Sequence, residues 1–228
     1  MPPRKLTREG VLDTAVTMAD AEGIGRLSMR RLAGELGVEA MSLYHHVANK
    51  EALLDGMVDR VYAEVALPDP ARDWHAELRR RSLSVRAVLG RHPWALPLME
   101  SRGAPGPATL AYHEANIACL RSAGFTPAQV AHAYAVVDAF VYGFVLQETS
   151  LPFRSGSEAA DLVSAGPLAE VVAAHPNMVW FTQHVVLAPG YDFSREFEPG
   201  LDLVLEGIAA LLDLPDQPDQ PDQPDQPD

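Results

Sequence analysis

The stretch SMRRLAGELGVEAMSLYHHVANK, from Ser28 to Lys50, limits most sharply what this 228-residue chain can fold into. Ser28 is a good helix N-cap, Leu32, Ala33 and Leu36 recur at helical spacing, and Gly37 stands where a helix must stop and the chain reverse. A second short helix is predicted from about Ala40 to His46, with Leu43 and Val47 one turn apart and facing inward. By helical periodicity Met41, Ser42 and His45 then point away from the core, with Tyr44 and His46 on the flanks. Asn49 caps the following helix, and Lys50 in its first turn sets a cation beside backbone N–H groups that already favour an anion. The outline is helix-turn-helix. A helix start of small residues followed by Tyr-His-His fits a major groove while its end touches phosphates. Spacing alone fits equally well an ordinary three-helix pack with a solvated polar face.

Charge sharpens that choice only in part. A net charge of -13 is unlike that of most DNA-binding domains. The last sixteen residues, Asp213 to Asp228, hold six Asp and no Lys or Arg, whereas Arg26, Arg30, Arg31 and Lys50 outnumber Glu35 and Glu39 in the helix-turn-helix stretch. An acidic remainder repels DNA from every other surface and so orients the approach. The single cysteine, Cys119, excludes an internal disulfide and gives no metal-site spacing. It lies among Ile117, Ala118 and Leu120, which predicts a buried, inert thiol. MPPRKLTREG has no apolar h-region, and no run reaches the roughly 18 apolar residues of a membrane span. A cytoplasmic protein is expected.

Along the chain the pattern is helical throughout. Thr7 caps a first helix that ends at Gly23 and Gly25, and a fourth runs from Lys50 to about Ala66. LPDPARD, Leu67 to Asp73, is the best domain boundary, because two prolines stop the helix and stiffen the link. Helices are then predicted from Trp74 to about Arg91 and from Ala108 to Ser122. Thr126-Pro127-Ala128-Gln129 is a capping box with Pro at the first helical position, opening a long helix to Gln147. Apolar residues nearly encircle that helix, so it is buried in this core or against a second copy. Leu151 to Gly166 reads as loop, Pro167 to His175 as a short helix, and Asn177 to Tyr191 as helix in preference to strand. The last helix spans about Glu198 to Leu212, and the Pro-Asp-Gln repeat after Leu214 cannot bury a core and should be disordered. The division expected is 1–66, 67–214 and a tail, 215–228.

Catalysis has little to stand on. No HExxH, phosphate loop, nucleophile elbow or paired His–carboxylate cluster occurs. His175, His184 and Asp192 match no metal template and read as surface or capping residues. Arg79, Arg80 and Arg81 fan around a helix, which suits a partly solvated face better than an anion site.

The first 65 or so residues resemble the DNA-binding domain of the TetR family of transcriptional regulators, and GVEAMSLYHHVANKEALLD is similar to its tetracycline repressor branch. The likeness continues more weakly through DWHAELRRRSLSVRAVLGRHP, the segment from Tyr112 to Glu148, and GLDLVLEGI. It implies an all-α fold: an N-terminal helix-turn-helix domain, then a helical effector-binding and dimerisation domain. It further implies a homodimer on a pseudo-palindromic double-stranded operator, released by a small molecule. Carried over by position, Arg30 matches the guanine-reading site, Ser28, Tyr44, His46 and Lys50 the phosphate contacts, and Ala40, Met41 and Ser42 the recognition positions. Ala40-Met41 stands where the tetracycline repressor reads a base with Gln-Pro, which implies a different operator. The implied pocket is lined by Val85, Met99, His113, Asn116, Tyr134 and Asp138. Met99 and Gln147 replace the branch's magnesium ligands, so no metal cofactor is expected. Asp138 either bonds Tyr134 or Tyr142 or is kept for a ligand. The rival reading is a small-molecule binding module whose head does not bind an operator.

Overall fold

The computed structural model describes residues 6–99, 101–153, 155–164 and 174–213. Helix starts are set by local chemistry. α1 (Arg8–Glu22) begins where the Thr7 hydroxyl accepts the Gly10 N–H at 3.1 Å. α2 (Met29–Leu36) begins at Ser28, which accepts from Arg31 N–H at 3.3 Å. Gly37 ends it at φ 67°, a left-handed conformation that costs a side-chain-bearing residue more than glycine. α3 (Ala40–Leu43) is shorter than predicted, because Tyr44 and His46 donate three residues back, to Met41 and Leu43, and tighten the chain into turns. α4 (Lys50–Ala63) starts at Asn49, whose Oδ1 accepts Ala52 N–H at 2.8 Å. Val11, Leu32, Leu43, Leu53 and Met57 are fully buried between these four helices.

α4 stops three residues before the predicted Ala66, because the chain turns back along the next helix. Ala66 N–H donates to Ser84 Oγ at 2.9 Å, and Asp69 N–H to Glu77 Oε2 at 2.9 Å. α5 (Trp74–Arg91), α6 (Leu96–Met99), α7 (Pro107–Ser122) and α8 (Pro127–Ser150) follow. The capping box at Thr126 and Gln129 is present in both directions. α9 (Gly156–Ser164) corrects the loop expected there: Ser155 and Glu158 exchange two bonds of 3.3 Å, a second capping box that the Ser/Gly composition obscured. α10 (Pro176–Phe181) runs into a π turn over Thr182–Val186, helical as favoured. α11 (Phe197–Ala209) ends in a 3-10 turn. The helix expected at 167–175 and the tail lie largely or wholly outside the described residues.

α5, α7, α8 and α11 pack together and α4 crosses from α1 onto α7, so that one continuous cluster of buried apolar side chains extends from Val11 to Ile208. Among the described residues no strand forms; Ser155 and Asp192 make one isolated antiparallel bridge. Polar contacts flank the junction of α4 with α7. Asp59 on α4 accepts Thr109 N–H at 2.8 Å at the start of α7, and Arg102 reaches Glu51 and Asp55. The closeness depends on Gly106, where a Cβ would lie 2.3 Å from Asp59 Cγ. At the other edge His92 sits between Asp20 of α1, at 2.7 Å, and Glu64, at 3.2 Å. Trp94 Nε1 donates to Asp20 as well, at 2.6 Å.

Candidate functional site

Two sites emerge, one at each end of α4. At its N-terminal end α2 and α3 present an exposed polar face. Met41 is 72% exposed, Arg30, Tyr44, His45 and Lys50 are exposed, and Ser42, His46, Ala40 and Ser28 are half-buried. Arg30 and Lys50 make no ion pair among the described residues. Their neighbour Arg31 does, holding Glu22 through two bonds of 2.8 and 2.9 Å. Lys50, in the exposed first turn of α4, suits a phosphate oxygen, while a methyl (Ala40) and a thioether (Met41) suit apolar base edges.

The C-terminal end of α4 enters the second site. Arg81 of α5 is only 1% exposed, and its guanidinium bonds Asp138 of α8 at 2.5 Å and the hydroxyl of Tyr112 of α7. It also lies 4.7 Å from the Tyr112 ring centroid. His113 Nδ1 meets the Tyr134 hydroxyl, and Asn116 Nδ2 donates to Tyr112 O at 2.7 Å. Tyr62, from α4, packs its ring 4.9 Å from Tyr112 and 6.0 Å from His113. Burial pushes the Tyr142 hydroxyl well above its ordinary range, so it stays protonated.

Of the six residues expected around a pocket, Asp138 bonds this arginine and the Tyr134 ring lies 6.0 Å from it, while His113 reaches it only through Tyr134 and Tyr112 and Asn116 bonds the Tyr112 backbone. Val85 and Met99 are buried in the adjoining apolar core. A cavity of about 410 Å³ opens between α7 and α8 beside them, lined by Ile117, Arg121, Phe125, Pro127, Val130, Ala131 and Tyr134. Tyr134 is thus shared by the cavity and the polar cluster. Gln147 is exposed while Met99 is buried. No group of three or more His, Cys, Asp or Glu converges on a metal-sized space among the described residues.

The solvated face expected for Arg79 to Arg81 is corrected at Arg81. Arg79 pairs outward with Glu198 and Asp202, but Arg81 falls on the buried stripe with Leu78, Val85 and Val88. That period was present in the sequence and marks the arginine as internal. Asp138 has a buried partner, and it is this arginine, which also takes up Tyr112, a residue outside the set expected from the sequence. Cys119 is buried as expected, its thiol pushed up to about 11 by burial. Asp192 caps a turn by accepting Ser194 N–H at 2.9 Å, and His184 bonds the Trp180 carbonyl, both structural roles.

Residues 67–212 match the family model of the tetracyclin repressor-like C-terminal domain, and residues 11–57 that of the bacterial regulatory proteins of the tetR family. The chain is 34% identical over 220 residues to the HTH-type transcriptional repressor DrrR1 of Streptomyces coeruleorubidus, covering 92% of this chain and 80% of that one. It is 35% identical over 210 residues to an HTH-type transcriptional regulator of Saccharopolyspora erythraea, covering 92% and 87%. Its fold is similar to the crystal structure of the Streptomyces coelicolor TetR family protein ActR in complex with (S)-DNPA. There the TM-score is 0.73 at 30% identity, over 92% of this chain and 99% of that one. With a specific N-terminal match, a C-terminal match over most of the remaining length and a common helical architecture, the chain belongs to the TetR family of bacterial transcriptional regulators.

Proposed function

We propose that the protein is a ligand-responsive repressor that acts in the cytoplasm as a homodimer. Residues 1–66 carry operator reading, with Arg30 and the Ala40–Ser42 face against bases and Ser28, Tyr44, His45, His46 and Lys50 against or beside phosphates. Residues 67–214 carry effector sensing around Arg81, Asp138, His113, Asn116 and Tyr134. ActR, crystallised with (S)-DNPA and with actinorhodin, supports the effector half of the proposal by analogy.

The observation that carries it is the reach of α4. One rigid helix places Lys50 at the exposed face and Tyr62 in the core cluster, about 18 Å away at helical rise. A molecule entering beside Tyr62 and Tyr112 displaces α4, and the polar joint at Asp59 and Arg102 passes that shift to the reading face. Apolar side chains on the outer side of α8 and α11, with Val136 49% and Leu203 76% exposed, suit the seam with a second copy. The test is enrichment from randomised duplex at low ionic strength, with mass measured in the same buffer. A dimer that selects a two-fold symmetric site is expected. A monomer, or no enrichment, overturns the proposal.

A further inference from the structure

His92 joins three parts of the chain that lie far apart in sequence. It follows the last residue of α5, is 6% exposed, and turns each ring nitrogen to a carboxylate. Nδ1 lies 2.7 Å from Asp20 Oδ1 of α1, and Nε2 lies 3.2 Å from Glu64 Oε1 at the end of α4. An ionised carboxylate only accepts, and a neutral imidazole has a single N–H, so both contacts are hydrogen bonds only when the ring carries two protons. In the neutral ring one nitrogen turns its lone pair to a carboxylate oxygen, and that hydrogen bond is lost.

Charge balance asks for the same state. Among the described residues the charged groups facing the ring or its partners are Asp20 from α1, Glu64 from the end of α4 and Arg91 from α5, which bonds Glu64 Oε2 at 2.5 Å. Trp94, on the way into α6, donates its Nε1 proton to Asp20 at 2.6 Å and brings no charge. Burial raises the Glu64 carboxyl, but bonds from Arg91 and His92 outweigh it and hold it below its usual 4.5. An imidazolium sets two cations against the two carboxylates, whereas a neutral ring leaves one of them unmatched. We propose that His92, as an imidazolium, is a positioning residue for operator binding: it ties α1 of the reading domain to the end of α5, and the loss of one proton frees α1. This rests on residues 1–66 reading the operator, and it is separate from the path through α4 and α7. Two heads held at a fixed separation meet two half-sites directly, whereas untied heads must first be ordered, which weakens binding. The tie is complete below the ring's titration and is lost as pH rises through it.

The test measures affinity for the selected operator with full-length wild type, His92→Gln and Asp20→Asn, from about pH 6 to about pH 8.5. Wild type should lose at least about fivefold more affinity across that range than His92→Gln, which has no ring proton to lose. His45 and His46 on the reading face are present in all three proteins, so the ratio between variants removes their titration. Asp20→Asn, whose amide can donate to a neutral ring, should follow the profile of His92→Gln rather than that of wild type. A merely structural His92 gives three parallel profiles, and that result overturns the proposal. If the variants do not fold, wild type decides: NMR of the imidazole should show His92 losing a ring proton over the range in which affinity falls. A ring that stays charged throughout, or is already neutral at the acid end, overturns the proposal as well. Protein that selects no duplex loses the functional reading and this proposal with it, whereas parallel profiles on a selected operator lose only the proposal.

Discussion

Arg30 and Arg31 are neighbours on α2 with different duties. Arg31 is tied to Glu22 and to the Arg26 carbonyl, which fixes the turn before α2. Arg30 points into solvent from the same first turn and is available to a base. Arg30→Ala should cost about 1–3 kcal/mol of operator affinity and relax one base preference, read from a base-substituted operator set. Lys50→Ala should instead weaken all sequences alike and reduce the salt-dependence slope by about one. If discrimination is unchanged in the first variant, Arg30 reads no base. At this scale the sequence is most informative about helix starts. Thr7, Ser28, Asn49 and the Thr126–Gln129 box act on N–H groups three residues away, so their partners are written beside them. Arg81 departs from that pattern: three adjacent arginines look solvated in the sequence, and the stripe of Leu78, Val85 and Val88 carries this one inside.

Among elements, the joint of α4 with α7 is built by subtraction. Gly106 has no side chain, and the Asp59 carboxylate occupies that space while capping α7 through Thr109. Gly106→Ala should therefore destabilise the protein by about 1–3 kcal/mol. In an Asp59→Ala background the same change should cost clearly less, because the two positions share one space. Urea midpoints of the four proteins measure the coupling, and additive effects would contradict the contact. The chain between α4 and α5 is held differently. Arg80 bonds Glu77, which also accepts Asp69 N–H, and together they keep that carboxyl below its usual 4.5. A carboxylate depressed on folding adds stability above its usual pKa and loses that contribution as pH falls through the folded value. The stability gap between wild type and Glu77→Gln should thus be full at neutral pH and close below pH 4.5. A gap constant across that range in thermal melts would count against the bond. Long-range joints such as Asp20 with His92, 72 residues apart, have no signature in periodicity or capping. The existence of most helices is readable in the sequence, but not how the N-terminal and C-terminal helices grip one another.

On the scale of the molecule, the boundary written in the chain and the boundary of its parts do not coincide. One family match ends at residue 57 and the other begins at residue 67, the first residue of LPDPARD, while the buried apolar side chains run as one cluster past that linker. Tyr62 and Asp59 precede that linker yet pack against α7, which follows it. In the proposed function, residues 1–66 consequently carry part of the effector site with them. A chimera joined at the linker, carrying a relative's residues up to position 66, should keep its grip on that relative's operator and lose its response to this protein's effector. Restoring Asp59 and Tyr62 should recover it, because a splice made where the polypeptide is most easily cut severs the transmission shaft from its socket.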